Sequence, residues 1–71
     1  MRYLVVVEEG ANSFVAYVPD LPGCVAASET REEVLELIRE AIDLHIEALR
    51  SGGQSVPRPS PTSELVDVAA A

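Results

Sequence analysis

The stretch Pro19-Asp20-Leu21-Pro22-Gly23-Cys24 does most to limit what this chain can fold into. It holds two of the five prolines, one of the four glycines and the single cysteine. Pro19 and Pro22 fix φ near −65° and donate no backbone hydrogen bond, so neither fits inside a central strand. Leu21 precedes a proline and is pushed towards extended backbone. Gly23 supplies the freedom to turn back through positive φ. The apolar run Phe14 to Val18 therefore ends here, and a new strand is expected from about Cys24.

On either side of this loop the chain alternates between strand and turn chemistry. Residues 2–9 are valine-rich and carry apolar side chains in both alternation phases, Tyr3, Val5 and Val7 against Leu4 and Val6. A strand apolar on both faces expects cover on both. Gly10-Ala11-Asn12-Ser13 separates it from Phe14-Val15-Ala16-Tyr17-Val18, which predicts a hairpin. Cys24-Val25-Ala26-Ala27-Ser28 reads as a shorter third strand.

Thr30-Arg31-Glu32-Glu33 then has the form of a capping box, with the threonine hydroxyl taking the amide three residues on. Glu32 and Glu33 favour the positive end of the helix dipole. No Gly or Pro interrupts residues 31–50, and Ser51-Gly52-Gly53 supplies the stop. Turning about 100° per residue from Val34 places Leu35, Leu37, Ile38, Ala41, Ile42, Leu44, His45, Ala48 and Leu49 on one broad arc. Glu32, Glu36, Arg39, Glu40, Asp43, Glu47 and Arg50 fill the other. This is an amphipathic helix that lies on a sheet.

Gln54 to Ser63 places Pro57, Pro59 and Pro61 in alternation and predicts an extended connector. Glu64-Leu65-Val66-Asp67-Val68 predicts a short fourth strand with the acidic pattern of an edge, and Ala69 to Ala71 a frayed tail. The expected fold is α+β, in the order β-β-β-α-β, within one domain over residues 1–68. A right-handed crossover through the helix sets strand four parallel to strand one, in the sheet order 3-2-1-4, with one long helix on one face.

One helix covers one face of such a sheet, yet strands one and two are apolar on both, and monomers rarely expose a patch of that kind. The helix also outruns the strands: twenty residues extend about 30 Å, a five-residue strand about 17 Å. Leu44, His45, Ile46 and Leu49 are therefore expected to overhang the sheet and form an oligomer contact. Seventy-one residues are marginal as a monomer. One cysteine allows no internal disulfide, and no Cys/His spacing suits zinc. A homodimer or higher oligomer is the expected remedy.

Net charge is −7, from twelve acidic side chains and five scattered arginines, with no lysine. Such a surface repels phosphate backbones and steers basic partners inward. Direct DNA or RNA binding is not expected. No apolar run approaches the ~18 residues that span a bilayer, and the short run Leu4 to Val7 lacks a signal-peptide cleavage site. The expected location is the cytoplasm.

With the loop, the helix cap and Pro57-Arg58-Pro59 in place, the chain resembles the HicB-type antitoxin domain over residues 1–68. The Asp-Leu-Pro-Gly-Cys loop followed closely by the Thr-Arg-Glu-Glu helix start carries the resemblance. It implies a partial ribonuclease-H-like fold and binding to a small, basic, RNA-cleaving toxin of the HicA type. Longer members carry a C-terminal DNA-binding segment. This chain ends before one, so operator binding is not expected. The alternatives are an orphan regulatory or structural homodimer with no toxin, and a ribonuclease-H-like, metal-dependent nuclease remnant.

No catalytic residue, cofactor or metal ligand is expected. Cys24 lacks a positive neighbour to activate its thiol and reads as a small buried hydrophobe. His45 falls in the apolar arc, away from the carboxylates of Asp43 and Glu47, and reads as a packing or dimer-contact residue. Two-metal hydrolysis needs carboxylates that converge. Glu8, Glu9, Glu36, Glu40 and Asp67 include helix positions that face solvent, which argues against an enzyme. The proline loop is the candidate partner-binding site, through Tyr17, Asp20, Leu21, Pro22, Gly23 and Cys24, because loops on rigid scaffolds often carry binding.

Overall fold

Three short strands and one long helix, in an α+β arrangement, make up the computed structural model, which describes residues 1–59 and 65–69. The elements are β1 (Val6–Glu9), β2 (Phe14–Tyr17), β3 (Val25–Ser28) and α1 (Arg31–Ser51). The sheet is antiparallel in the order β1-β2-β3. The hairpin turns over residues 10–13, where the Gly10 amide donates to the Ser13 carbonyl at 2.7 Å.

Alternation sorts the sheet into two faces. The row Val7, Ala16, Ala26 lies across the three strands on the helix side, whereas Val6, Tyr17 and Val25 form the matching row on the other. The core is small: Ala16, Val18, Leu21, Cys24, Val34 and Ile38. Val5, Val7, Phe14, Ala41, Ile42 and Ile46 pack around it. The helix rests on β3 and β2.

Both helix ends follow from local chemistry. The Thr30 side chain accepts from the Glu33 amide at 3.1 Å, which satisfies one of the first-turn donors. At the other end the Gln54 amide donates to the Leu49 carbonyl (2.8 Å) and the Gly53 amide to the Arg50 carbonyl (3.1 Å). Gly53 has φ 71°, so the pair of bonds is a Schellman stop that needs glycine at this point.

The fourth strand expected over Glu64–Val68 is not formed in the described part of that stretch. Leu65 to Val68 have no strand pairing, and Leu65 is fully exposed; Glu64 lies outside the described residues. Among the described residues the order 3-2-1 therefore holds for three strands, and β1 pairs on one side only. The reason is that strand propensity is local, whereas a strand exists only once an edge has accepted its hydrogen bonds. Residues 54–59 of the connector have no regular structure, as expected of alternating prolines. The rest of the connector, 60–63, and tail residues 70–71 lie outside the described residues, and Ala69 is exposed.

Candidate interaction surfaces

The proline loop is two β-turns fused at one residue. The Leu21 amide donates to the Val18 carbonyl (3.0 Å), and the Cys24 amide donates to the Leu21 carbonyl (3.0 Å). Pro19 and Pro22 therefore each occupy the second position of a turn, where φ near −65° is required. Gly23, at φ 86°, takes the third position of the second turn, which makes it type II. The Val18 amide closes the loop on the Cys24 carbonyl at 3.2 Å. Sharing Leu21 between the turns drives its side chain inward, where it is 0 % exposed.

This placement divides the residues expected to meet a partner. Leu21 and Cys24 are core residues, and burial pushes the Cys24 thiol above its ordinary pKa by desolvating the thiolate. Pro22 and Gly23 form the exposed tip, and Tyr17 is exposed on the outer sheet face. Asp20 is half-buried and is engaged in an interaction within the chain.

The residues expected to overhang the sheet divide as well. Leu44 is 66 % exposed, His45 and Leu49 are half-buried, and Ile46 packs on the core. Glu32, Glu36, Glu40, Asp43 and Glu47 are exposed along the helix with Arg39 and Arg50 among them, which leaves its solvent side a net acidic band. Among the described residues no three His, Cys, Asp or Glu side chains are grouped to hold a metal ion.

Among the described residues nothing covers the outer face of the sheet. Leu4, Val15, Tyr17 and Val25 are exposed, Val25 at 59 %, in an area bordered by Glu8. This is the apolar face implied by the two-phase alternation of the first two strands. A second feature was not foreseen from the sequence. A cleft of about 510 Å³ separates the N-terminal segment from the helix, with Arg2 and Val5 on one wall and Ile38, Arg39, Ile42 and Asp43 on the other. Beside it the Tyr3 hydroxyl donates to the Pro57 carbonyl, holding the connector against the N-terminal segment. The sequence signal for that bond was a tyrosine in an otherwise aliphatic run, since a Tyr ring packed against apolar neighbours seeks a partner for its hydroxyl.

Comparisons with known proteins bear on these surfaces. A family model described as "HicB_like antitoxin of bacterial toxin-antitoxin system" matches residues 3–70. A UPF0150 protein of Thermoplasma acidophilum is 37% identical over 59 residues, covering 82% of this chain and 86% of its own length. Antitoxin HicB 1 of Photorhabdus laumondii is 35% identical over 71 residues, which are 96% of this chain but 45% of that protein. An uncharacterised protein of Haemophilus phage HP1 is 31% identical over 94% of this chain and 50% of its own length. The chain thus spans about half the length of the last two relatives. Among solved structures, a chain of the HicA3 and HicB3 toxin-antitoxin complex superimposes with a TM-score of 0.71 at 32% identity, over 83% of this chain and 70% of that one. Among the described residues no helix is long and apolar enough to cross a membrane.

Proposed function

The chain belongs to the HicB-like antitoxin family, and from that premise we propose that it works by binding, masking a small basic toxin of the HicA type. The observation that carries the reading is the pairing of an uncovered apolar sheet face with an acidic helix band on one small body. The acidic band raises the rate at which a basic partner arrives, and the apolar face supplies contact that excludes water. The reading makes the chain a binder, one that acts by contact and not by catalysis. The same charge opposes direct binding to DNA or RNA.

The reading includes a cytoplasmic location, self-association, and the four-stranded, partial ribonuclease-H-like form of the fold. In that form residues 64–68 pair with the free edge of β1. The exposed loop residues Tyr17, Pro22 and Gly23, and Leu44 at the overhang, belong to the contact surfaces.

The test is recovery of partners on the tagged chain from its host, at low and at high ionic strength, with mass spectrometry of what is retained. A small basic protein held at low salt and weakened at high salt is the expected result, since exposed charge pairs are screened. Its ribonuclease activity, measured alone and with the chain added, is expected to fall on addition. Recovery of the chain with copies of itself alone, in both conditions, overturns the toxin reading.

A further inference from the structure

We propose that β3 is a dimer edge: Val25–Ser28 of one copy pairs antiparallel with the same strand of a second copy. Two three-stranded sheets then join into one, with the two helices side by side on the same face. The inference rests on the self-association included in the reading above, and it names the surface that makes it.

The ladder decides which backbone groups of β3 are free. The Val18 amide donates to the Cys24 carbonyl, so those residues are a hydrogen-bonded pair. Alternation makes Ala16 with Ala26, and Phe14 with Ser28, the next two such pairs. Val25 and Ala27 therefore direct their amides and carbonyls away from β2. Among the described residues β3 pairs on the β2 side only. It is the outer strand in the order 3-2-1-4 as well, so a fourth strand beside β1 does not alter this edge. At Pro57 the connector is held by Tyr3, beside the run that leads into β1 at the opposite edge.

The edge carries none of the usual guards. Exposed edges are blunted by charged side chains, proline or a bulge. Val25–Ser28 has no charge and no proline, and its register with β2 runs unbroken. A two-fold axis through Ala26, perpendicular to the sheet, satisfies this edge with its own copy. It sets Val25 opposite Ala27 of the second copy, twice, which makes four backbone hydrogen bonds. The alternative axis, through Ala27, sets Val25 against Glu29 and places an apolar side chain opposite a charge. Closure by a two-fold uses both edges at once and leaves no β3 edge to propagate.

The helix is placed to join the contact. It rests over β3 and β2, and strands lie about 4.8 Å apart. A helix axis above the gap between β2 and β3 is then about 2.4 Å inboard of β3, and two such helices cross the axis about 9.6 Å apart. Packed helices lie about 8–10 Å apart. The flanks that meet are apolar. Leu35, Arg39 and Ile42 line the cleft on the β1 side of the helix, and turning about 100° per residue puts Leu37, Ala41, Leu44 and Ala48 on the flank towards β3. Leu44 is 66% exposed and Ala48 is exposed, so this flank has apolar surface to bury. The strand supplies register, and the helix flank supplies the burial that four paired residues lack.

Charge sets the conditions. Each chain carries −7, so two copies repel and salt strengthens their pairing. A basic toxin has the opposite dependence. The outer sheet face stays open to it.

The experiment measures the mass of the chain by light scattering across a concentration series, at low and at high ionic strength. Amide hydrogen exchange of Val25 and Ala27 is followed in parallel. The mass is expected to rise towards twice 7.6 kDa, at lower concentrations in high salt, and both amides to become protected with it. Ala27→Pro removes an outward amide and leaves the bonds to β2 intact. It deletes two of the four bonds and is expected to raise the dissociation constant about thirtyfold. Where proline alters the circular dichroism spectrum, Val25→Asp decides instead: the position is exposed, and the two carboxylates fall on diagonal positions across the axis, with the same direction expected. The mass of one chain at every concentration overturns the pairing and the self-association together, whereas the toxin reading stands or falls on partner recovery. A dimer in which both amides exchange freely, or which withstands the variants, leaves self-association standing and overturns the β3 edge. Protection that appears only when a basic partner is added gives the edge to that partner and overturns the pairing of copies.

Discussion

Replacing Leu21 with Ala tests whether the proline loop is an anchor of the core or a projecting recognition element. The side chain is 0 % exposed and is the largest of the fully buried ones, in a cluster of only six residues. Truncation of a buried leucine costs about 2–5 kcal/mol, the spread reflecting how far neighbours can collapse. Here Leu21 is held by bonds on both its amide and its carbonyl. The backbone cannot easily follow the lost side chain, and a value of about 3 kcal/mol or more is expected. A chain of 71 residues has a total stability of about 4–11 kcal/mol, so this one change removes a large share. At about 4–8 °C per kcal/mol for a domain of this size, the melting temperature is expected to fall by about 12–24 °C. The assay is thermal unfolding followed by circular dichroism, at two protein concentrations so that self-association is separated from intrinsic stability. Leu21→Met, which keeps the volume, is the control and is expected to cost less than about 1.5 kcal/mol. A drop of less than about 4 °C for Leu21→Ala, or equal losses for Ala and Met, would refute the packing argument.

Three further outcomes follow from single positions. Gly53→Ala places a side chain at φ 71° with nothing within 4 Å of the new methyl group, so its cost of about 1 kcal/mol comes from backbone strain alone; Gly52→Ala, with φ −83°, is expected to melt closer to the parent. The Ser28 hydroxyl is buried without a hydrogen-bond partner among the described residues, so Ser28→Ala is expected to be neutral or stabilising in urea titration, and a loss above about 1 kcal/mol would reveal a partner. Burial raises the Cys24 thiol pKa in the folded chain, which means that the unfolded chain loses this proton first. The associated stability is intact below the ordinary thiol value of about 8.5 and is lost as pH rises through the higher folded value. Between about pH 8 and pH 10 the parent's melting temperature is expected to fall more steeply than that of Cys24→Ala, and parallel curves would contradict this.

The parts of the fold that were legible in advance are those dictated over a few residues. Thr30 before Glu33 marks a helix start because one hydroxyl reaches one nearby amide, and Gly52-Gly53 marks its end because one position needs positive φ. Alternation in both phases of the first two strands foretold the uncovered sheet face, since two apolar phases against one helix leave one phase exposed. The candidate site was less legible for a related reason. Proline and glycine announce a turn, but not which side of the chain the residues between them take. That Leu21 points inward and Pro22 outward follows only from the fusing of two turns at Leu21, a property of the hydrogen bonds and not of composition. The pattern Leu65 to Val68 shows the limit of local reasoning most clearly. Four residues with strand propensity make no strand by themselves, because each backbone group that leaves water must find a partner on another strand. Propensity specifies the donor of an edge contact, and the open edge of β1 specifies an acceptor. Nothing in four residues specifies that donor and acceptor belong to the same molecule. The connector decides that question, because its length and stiffness set the concentration at which a chain meets its own edge. The Tyr3 hydroxyl holds Pro57 beside the chain's own N-terminal segment, which raises the concentration of Leu65 to Val68 near their own edge.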